Sequence, residues 1–156
     1  MINPIRPTDD EARALARRLL VEARTAALAV LLPDGAPQIS RIALGRDDDG
    51  MPLAFLSDLS QHSRALRSDP RASLLVGEPG PKGDPLTHPR LTLNVRAIPA
   101  VGDRDALVRL WLDQHPKAAV YAGLPDFHFV RFEIAGAFLN GGFGRAFRLT
   151  PGDLGF

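Results

Sequence analysis

The chain has 156 residues and no cysteine, with only one tryptophan, one tyrosine and two methionines. Without cysteine there is no disulfide, no thiolate metal site and no thiol nucleophile, and the composition suits a reducing compartment. A dominant charge is also missing. Nineteen basic against eighteen acidic residues leave a formal net charge of +1, so no global positive field recruits nucleic acid. Long hydrophobic runs are absent as well. The longest, Ala26 to Leu32, is far below the roughly 20 apolar residues that span a bilayer, and Met1 to Asp10 carries no apolar segment behind a basic start. These absences predict a cytoplasmic protein with no nucleic-acid and no membrane partner. The length suits one domain over residues 1–156, with residues 1–24 as an N-terminal helix and arm.

What is present is a β-rich pattern with short helices. Thr8 and Glu11 form a capping box, Asp9 and Asp10 favour the positive end of a helix dipole, and Ala12, Leu15, Leu19 and Ala23 follow helical spacing. Arg13, Arg17 and Arg18 fall mainly off that stripe and read as a solvated face. Strands are expected at Thr25–Leu32, Gln38–Leu44, Pro52–Ser57, Arg71–Val76, Arg90–Ile98, Phe127–Ile134, Ala137–Asn140 and Phe143–Leu149. Turns fall at Pro33-Asp34-Gly35 and Asp47-Asp48-Asp49-Gly50. Short helices fit Ser60–Leu66, stopped by Asp69-Pro70, and Asp103–Gln114 and Lys117–Ala122, separated by Pro116. Glu78 to Pro89 is rich in proline and reads as a loop. Many short strands with a few short helices favour a barrel.

Several familiar chemistries find no support. The three aspartates before Gly50 lack the spacing of a calcium loop and read as a solvated turn. His62, His88, His115 and His128 show no metal-ligand spacing. No serine sits in a Gly-x-Ser-x-Gly elbow. Gly141-Gly142-Phe143-Gly144 lacks nucleotide-loop spacing and reads as a tight hairpin, and Trp111 reads as core or interface. One segment offers a site. Arg41 on its strand and Ser57 on the next flank a helix beginning near Ser60. Such a start presents free N–H groups and a positive dipole end to a phosphate. His62 and Arg64 add charge-assisted donors. The same residues fit a surface hairpin and an exposed basic helix equally well.

Three stretches carry a resemblance. They are Ala26–Val30 through Ser57-Asp58-Leu59-Ser60-Gln61-His62-Ser63-Arg64 to Arg71; Gly83-Asp84-Pro85-Leu86-Thr87-His88-Pro89-Arg90-Leu91-Thr92-Leu93; and His115-Pro116-Lys117-Ala118-Ala119 with Asp126-Phe127 and Gly141–Ala146. In that order the chain resembles the pyridoxamine-phosphate-oxidase-like FMN-binding split barrels, and among them the haem-utilisation (HugZ-like) branch.

The resemblance implies a mainly β, FMN-binding split β-barrel with its cofactor at a homodimer interface. Arg41 and Arg46 match a family strand that opens and closes with basic residues, and Ile42 and Ala43 border the flavin. Leu56 and Ser57 match the pair beside the ring. Gln61, His62, Ser63 and Arg64 fall in the phosphate turn. His62 replaces the usual lysine there, which makes phosphate binding pH-dependent. Arg90 falls near a flavin-approaching glutamine, and Val95 stands where glycine is common. The arginine–histidine pair of the true oxidases and the haem-ligating C-terminal segment of longer relatives have no counterpart. Oxidation of pyridoxamine phosphate and efficient haem degradation by this chain alone are therefore not expected. The implied function is an FMN-dependent oxidoreductase acting on a small molecule. The alternatives are a non-catalytic flavin or haem carrier, or a barrel that acts only through its dimer surface.

Overall fold

The computed structural model describes residues 3–156, so Met1 and Ile2 of the polar N-terminal stretch lie outside the described residues. The order of elements is β1 (Ile5–Arg6), α1 (Asp10–Glu22), β2 (Thr25–Leu31), β3 (Pro37–Ala43), β4 (Gly45–Arg46), β5 (Pro52–Ser57), α2 (Gln61–Ser68), β6 (Arg71–Val76), β7 (Arg90–Pro99), α3 (Arg104–Gln114), β8 (Phe127–Asn140) and β9 (Ala146–Leu149). Single 3-10 turns occupy Pro85–Thr87, Pro116–Val120 and Gly152–Leu154. The fold is mainly β with short helices, as the sequence predicts.

Local chemistry explains most boundaries, and it corrects some expectations. Asp9, not Thr8, caps α1: its carboxylate accepts from Ala12 N at 2.8 Å, while the Thr8 hydroxyl donates to Arg148 O at 2.6 Å. Arg13 and Arg17 are not merely solvated. Arg13 pairs with Asp153 at 2.7 Å and Arg17 Nε donates to Asp153 O at 2.9 Å, which fastens the C-terminal turn to the helix. Bonds from Arg13 and from Thr150 N–H, the latter foremost, hold the Asp153 carboxyl below its ordinary range. Helix α2 runs two residues past Leu66. It closes through Asp69 N, which donates to Ala65 O at 2.8 Å, and Pro70 prevents further turns. Hydrogen bonds from Arg71 pull the Asp69 carboxyl down to about 2. Lys117–Ala122 forms a 3-10 turn over Pro116–Val120, not an α-helix. Phe143 is 95% exposed in the hairpin before β9, so the last strand begins at Ala146.

The two strands expected at Phe127–Ile134 and Ala137–Asn140 are one. Asn94 pairs with Gly136 and Val95 with Ile134, which leaves Ala135 as a bulge. The extra residue shifts the inward set from Val130, Phe132 and Ile134 to Ala137 and Leu139. This phase break makes the sequence read as two strands.

The strands close on themselves. The ladder runs β3-β2-β6-β7-β8-β5-β4, and β4 follows β3 after a single residue, Leu44. The first and last members of the ladder are therefore one stretch of chain, which leaves a barrel. Strands β9 and β1 branch from the C-terminal end of β8. Alternation fills the interior with Ala26, Leu28 and Val30 of β2, Leu74 and Val76 of β6, and Leu91, Leu93 and Val95 of β7. Ala12, Ala16 and Leu20 of α1 and Ala65 and Leu66 of α2 join that core.

Strand β5 is buried on both faces, which explains its unbroken apolar run. Ala54 and Leu56 face the barrel. Leu53 and Phe55 face a second core with Phe129, Ala118 and Trp111 under α3, in which Phe55 stacks on Phe129 with ring centroids 4.1 Å apart. Gly45 sits where this second core meets the barrel seam. A Cβ there would lie 2.8 Å from Trp111 Cζ3 and 3.1 Å from Gln114 Oε1. Gly45→Ala is expected to destabilise the protein by about 1–3 kcal/mol through overpacking. Urea unfolding followed by the fluorescence of Trp111 checks this, and an unchanged midpoint would contradict it.

Candidate functional site

The start of α2 is built by three serines. Ser60 caps the helix, its Oγ accepting from Ser63 N at 3.3 Å. Ser63, only 1% exposed, donates its hydroxyl to Ser57 O at 2.7 Å. Ser57 in turn donates to Asp126 Oδ2 at 2.9 Å and accepts from Leu59 N at 3.2 Å. These bonds fix the turn and leave the first N–H groups of the helix, at Gln61 and His62, pointing outward.

Strand β3 runs beside that turn. Gln38 Nε2 donates to Gln61 Oε1 at 2.7 Å, and Ser40 Oγ lies 3.2 Å from His62 Nδ1. Burial is the main cause that pushes His62 below its ordinary value, and His128 on β8 adds to it. His128 Nδ1 lies 2.7 Å from Asp58 Oδ1, and Arg67 pairs with the same carboxylate. A cluster of His62, His128, Asp58 and Arg67 thus surrounds the helix start. Pairing of Leu56 with His128 across β5 and β8 brings it together. Gln38, Ser40, Asp58, Arg67 and His128 were not singled out as site residues by the sequence, because no local spacing links β3, α2 and β8.

The remaining site residues distribute as follows. Arg41 is exposed and alternates with Ser40, so it faces the outer side of β3 in register with Ala27. Ile42 and Leu56 are buried in the barrel core, whereas Ala43 packs against the second core. Arg46 has its N–H and C=O bound by the Gln114 side chain at 2.9 and 2.8 Å, and its Nε is buried without an acceptor among the described residues. Arg64 is exposed on α2. Arg90 opens β7 on the outer face and donates to Leu86 O at 3.0 Å. Three inter-strand spacings, about 14 Å, separate it from the strand of Arg41. One chain therefore brings together Ser57, Gln61, His62 and Ser63 but leaves Arg90 apart.

The outer face itself is open. In register across β3, β2, β6 and β7 lie Arg41, Ala27, Leu75 and Thr92, then Ile39, Ala29, Ser73 and Asn94. Ile39 is 70% exposed, and a hollow of about 400 Å³ on this face is lined by strand residues, Ala29, Ser73 and Asn94 among them. Among the described residues no three His, Asp or Glu side chains converge as a metal site, and no helix is long and apolar enough to cross a membrane.

His62 makes stability pH-dependent. Its folded-state value lies below the ordinary 6.5, so the unfolded chain takes up a proton more readily. The contribution of the neutral ring is fully present above about pH 6.5 and is lost as pH falls through the lowered value. His62→Gln, which keeps a neutral partner for Ser40, is expected to lose less stability on acidification than the wild type. Urea midpoints measured across that range decide the matter, and parallel curves would contradict it.

Comparison with known proteins agrees with this architecture. The profile of the pyridoxamine 5'-phosphate oxidase family matches residues 9–140. The chloroplastic heme oxygenase HOZ of Arabidopsis thaliana is 34% identical over 122 residues, which cover 70% of this chain and 36% of that protein. A heme binding protein from Mycobacterium smegmatis is 31% identical with a TM-score of 0.84, covering 96% of this chain and 61% of its own. A protein of unknown function from Agrobacterium tumefaciens is 36% identical with a TM-score of 0.81, covering 98% of this chain and 65% of its own. The chain thus spans less than two thirds of the length of each of these relatives. With the profile matching most of its residues and the barrel closing as described, the chain belongs to the pyridoxamine 5'-phosphate oxidase family.

Proposed function

We propose that this protein binds FMN as a homodimer and works as a flavin-dependent redox protein. The observation that carries the reading is the start of α2, where three serines hold the free N–H groups of Gln61 and His62 beside the edge of β3. That arrangement suits a phosphate. His62 reaches it from the Ser40 side. Arg41, next to Ser40 on β3, has a side chain long enough to reach it from the outer face. The small side chains Ala27, Ala29 and Ser73 leave the outer face open for a planar ring, and the buried Arg46 Nε, which has no acceptor among the described residues, has a donor to offer a bound group. The second copy covers that face and brings its own Arg90, which resolves the separation of Arg41 and Arg90 within one chain. When bound, the flavin supplies the redox chemistry, and the protein supplies grip, orientation and exclusion of water.

A second reading is favoured by the relatives, two of which are named for haem. In that reading the same open face takes haem, as a carrier. Reduction by NADPH with turnover marks an enzyme, and tight haem uptake that FMN does not displace marks the carrier.

Arg41→Ala is expected to weaken FMN about tenfold or more, because one charge-assisted hydrogen bond contributes roughly 1.5–3 kcal/mol. Riboflavin, which has no phosphate, should bind the variant and the wild type alike. His62→Ala should cost more at lower pH, where the ring is charged. Fluorescence titration of both flavins measures this, with light scattering of the same samples for mass. Equal FMN affinities, or a monomer mass at micromolar concentration, would overturn the reading.

A further inference from the structure

The loop of residues 78–89 leaves β6 and returns to β7 through a narrow neck. At Gly77, with φ of 100°, an added Cβ would lie 2.6 Å from Pro89 O and 2.9 Å from Arg90 Cα. Only glycine permits the two ends to approach so closely. Between them the loop covers a hollow of about 240 Å³ against the outer sheet face, walled by Ala27 and Leu75 on the strands and by Pro79, Leu86 and His88 on the loop. Arg90 stands at its rim and donates to Leu86 O at 3.0 Å and His88 O at 3.4 Å.

His88 holds this loop through both ring nitrogens. Gly80 N donates to His88 Nδ1 at 3.1 Å, and His88 Nε2 lies 2.6 Å from Lys82 O. The chemistry of the partners assigns the tautomer. A backbone N–H only donates, so Nδ1 must be bare; a carbonyl only accepts, so Nε2 must carry the proton. The Nδ1–Cε1 edge of the ring also lies close to Gly80, where an added Cβ would be 3.1 Å from His88 Cε1. Protonation at Nδ1 sets two N–H groups against each other and removes the Gly80 bond, while the Lys82 bond survives.

We propose that His88 is a pH-operated latch inside the 78–89 loop: neutral, it holds the Gly80 arm of the loop folded against the His88 arm beside the Arg90 end of the outer sheet face, and protonated, it frees the Gly80 arm and widens access to that end for ligand. The charged residues around His88 are Glu78, which lines the same hollow, Lys82, whose backbone carbonyl meets the ring, and Arg90 of β7, whose guanidinium donates to the His88 carbonyl; the lining from β2 and β6 is the non-titrating Ala27, Leu75 and Val76. Control of ligand access rests on the flavin reading above; the latch itself does not.

The test uses the full chain labelled with nitrogen-15, at about pH 8 and about pH 5, the range over which histidine charge changes. Imidazole spectra should show His88 with its proton on Nε2 at the higher pH. Gly80 amide exchange, corrected for its intrinsic rate, should then be roughly 3–10-fold slower than in His88→Ala, the worth of one hydrogen bond. That difference should vanish at the lower pH. His88→Gln, whose amide both accepts and donates without titrating, should keep the protection at both pH values. Trypsin cleavage after Lys82 should rise in His88→Ala at the higher pH and stay low in His88→Gln. A proton on Nδ1, or equal Gly80 exchange in wild type and His88→Ala at the higher pH, overturns the latch. If FMN binds but its dissociation rate changes with pH equally in wild type and His88→Gln, the latch does not control access. If FMN does not bind at all, the flavin reading fails while the Gly80 result still decides the latch.

Discussion

The structure depends on how the barrel shuts between Leu44 and Arg46. The chain leaves the β2 ladder at Ala43 and enters the β5 ladder at Gly45, so the residue between them belongs to neither. Its backbone groups need partners, because unpaired ones at a buried seam are costly. Leu44 N donates to Arg24 O at 2.9 Å, and the end of α3 supplies the remaining partners of the seam. Gln114 binds both the N–H and the C=O of Arg46, as a neighbouring strand would, and His115 Nε2 donates to Leu44 O at 2.9 Å. Trp111 closes over Gly45, and its ring lies 4.3 Å from that of His115. One helix end thus completes a seam that β3 and β5 do not complete alone.

The candidate site follows from that closure. With the seam held, β3 presents Gln38 and Ser40 to the start of α2 and Arg41 to the outer face. The helix start is itself rigid, since Ser57, Ser60 and Ser63 satisfy one another and the neighbouring carbonyl. Rigidity matters for anion binding because donors aimed beforehand need no ordering when the ligand arrives. Both sides of the site are therefore set by partly buried polar networks anchored on Ser63, not by the exposed arginines that first attract notice.

The same logic separates two kinds of charge in this protein. Arg13 with Asp153 joins helix and C-terminal turn, and Arg131 with Asp47, 2.6 Å apart, anchors the acidic turn to β8. These pairs are partly buried and tie distant parts of the chain together. Arg41 and Arg64 are exposed, and among the described residues neither makes an ion pair. The acidic turn illustrates the difference. Two of its three aspartates, Asp48 and Asp49, are solvated, whereas Asp47 also accepts from Asp49 N and Met51 N, each at 2.9 Å.

Much of the fold was legible in the residues, because it rests on local rules. Short apolar or alternating runs between turn signals marked β2, β5, β6 and β7 to within a residue or so, Gly35 and Gly50 marked the turns, and Asp69-Pro70 and Pro116 marked helix ends. The family, too, followed from the order of its motifs. Where the reading failed, a distant partner had won over a local one. Thr8 gave up its cap to bond Arg148, and Arg13 and Arg17 turned from solvent to Asp153. The strand over Phe127–Asn140 looked broken because the bulge at Ala135 changes the phase of burial without ending the ladder. Sequence by itself determined most of the strand segments, though not the short β1 and β4, and that the helix after Ser60 starts with polar residues. Only the tertiary structure decided that His62 meets Ser40 and His128, that Arg41 faces the other way, and that Gln114 stands in for a strand. Those outcomes depend on register between segments far apart in the chain, and a one-residue shift in register would send each side chain to the opposite face.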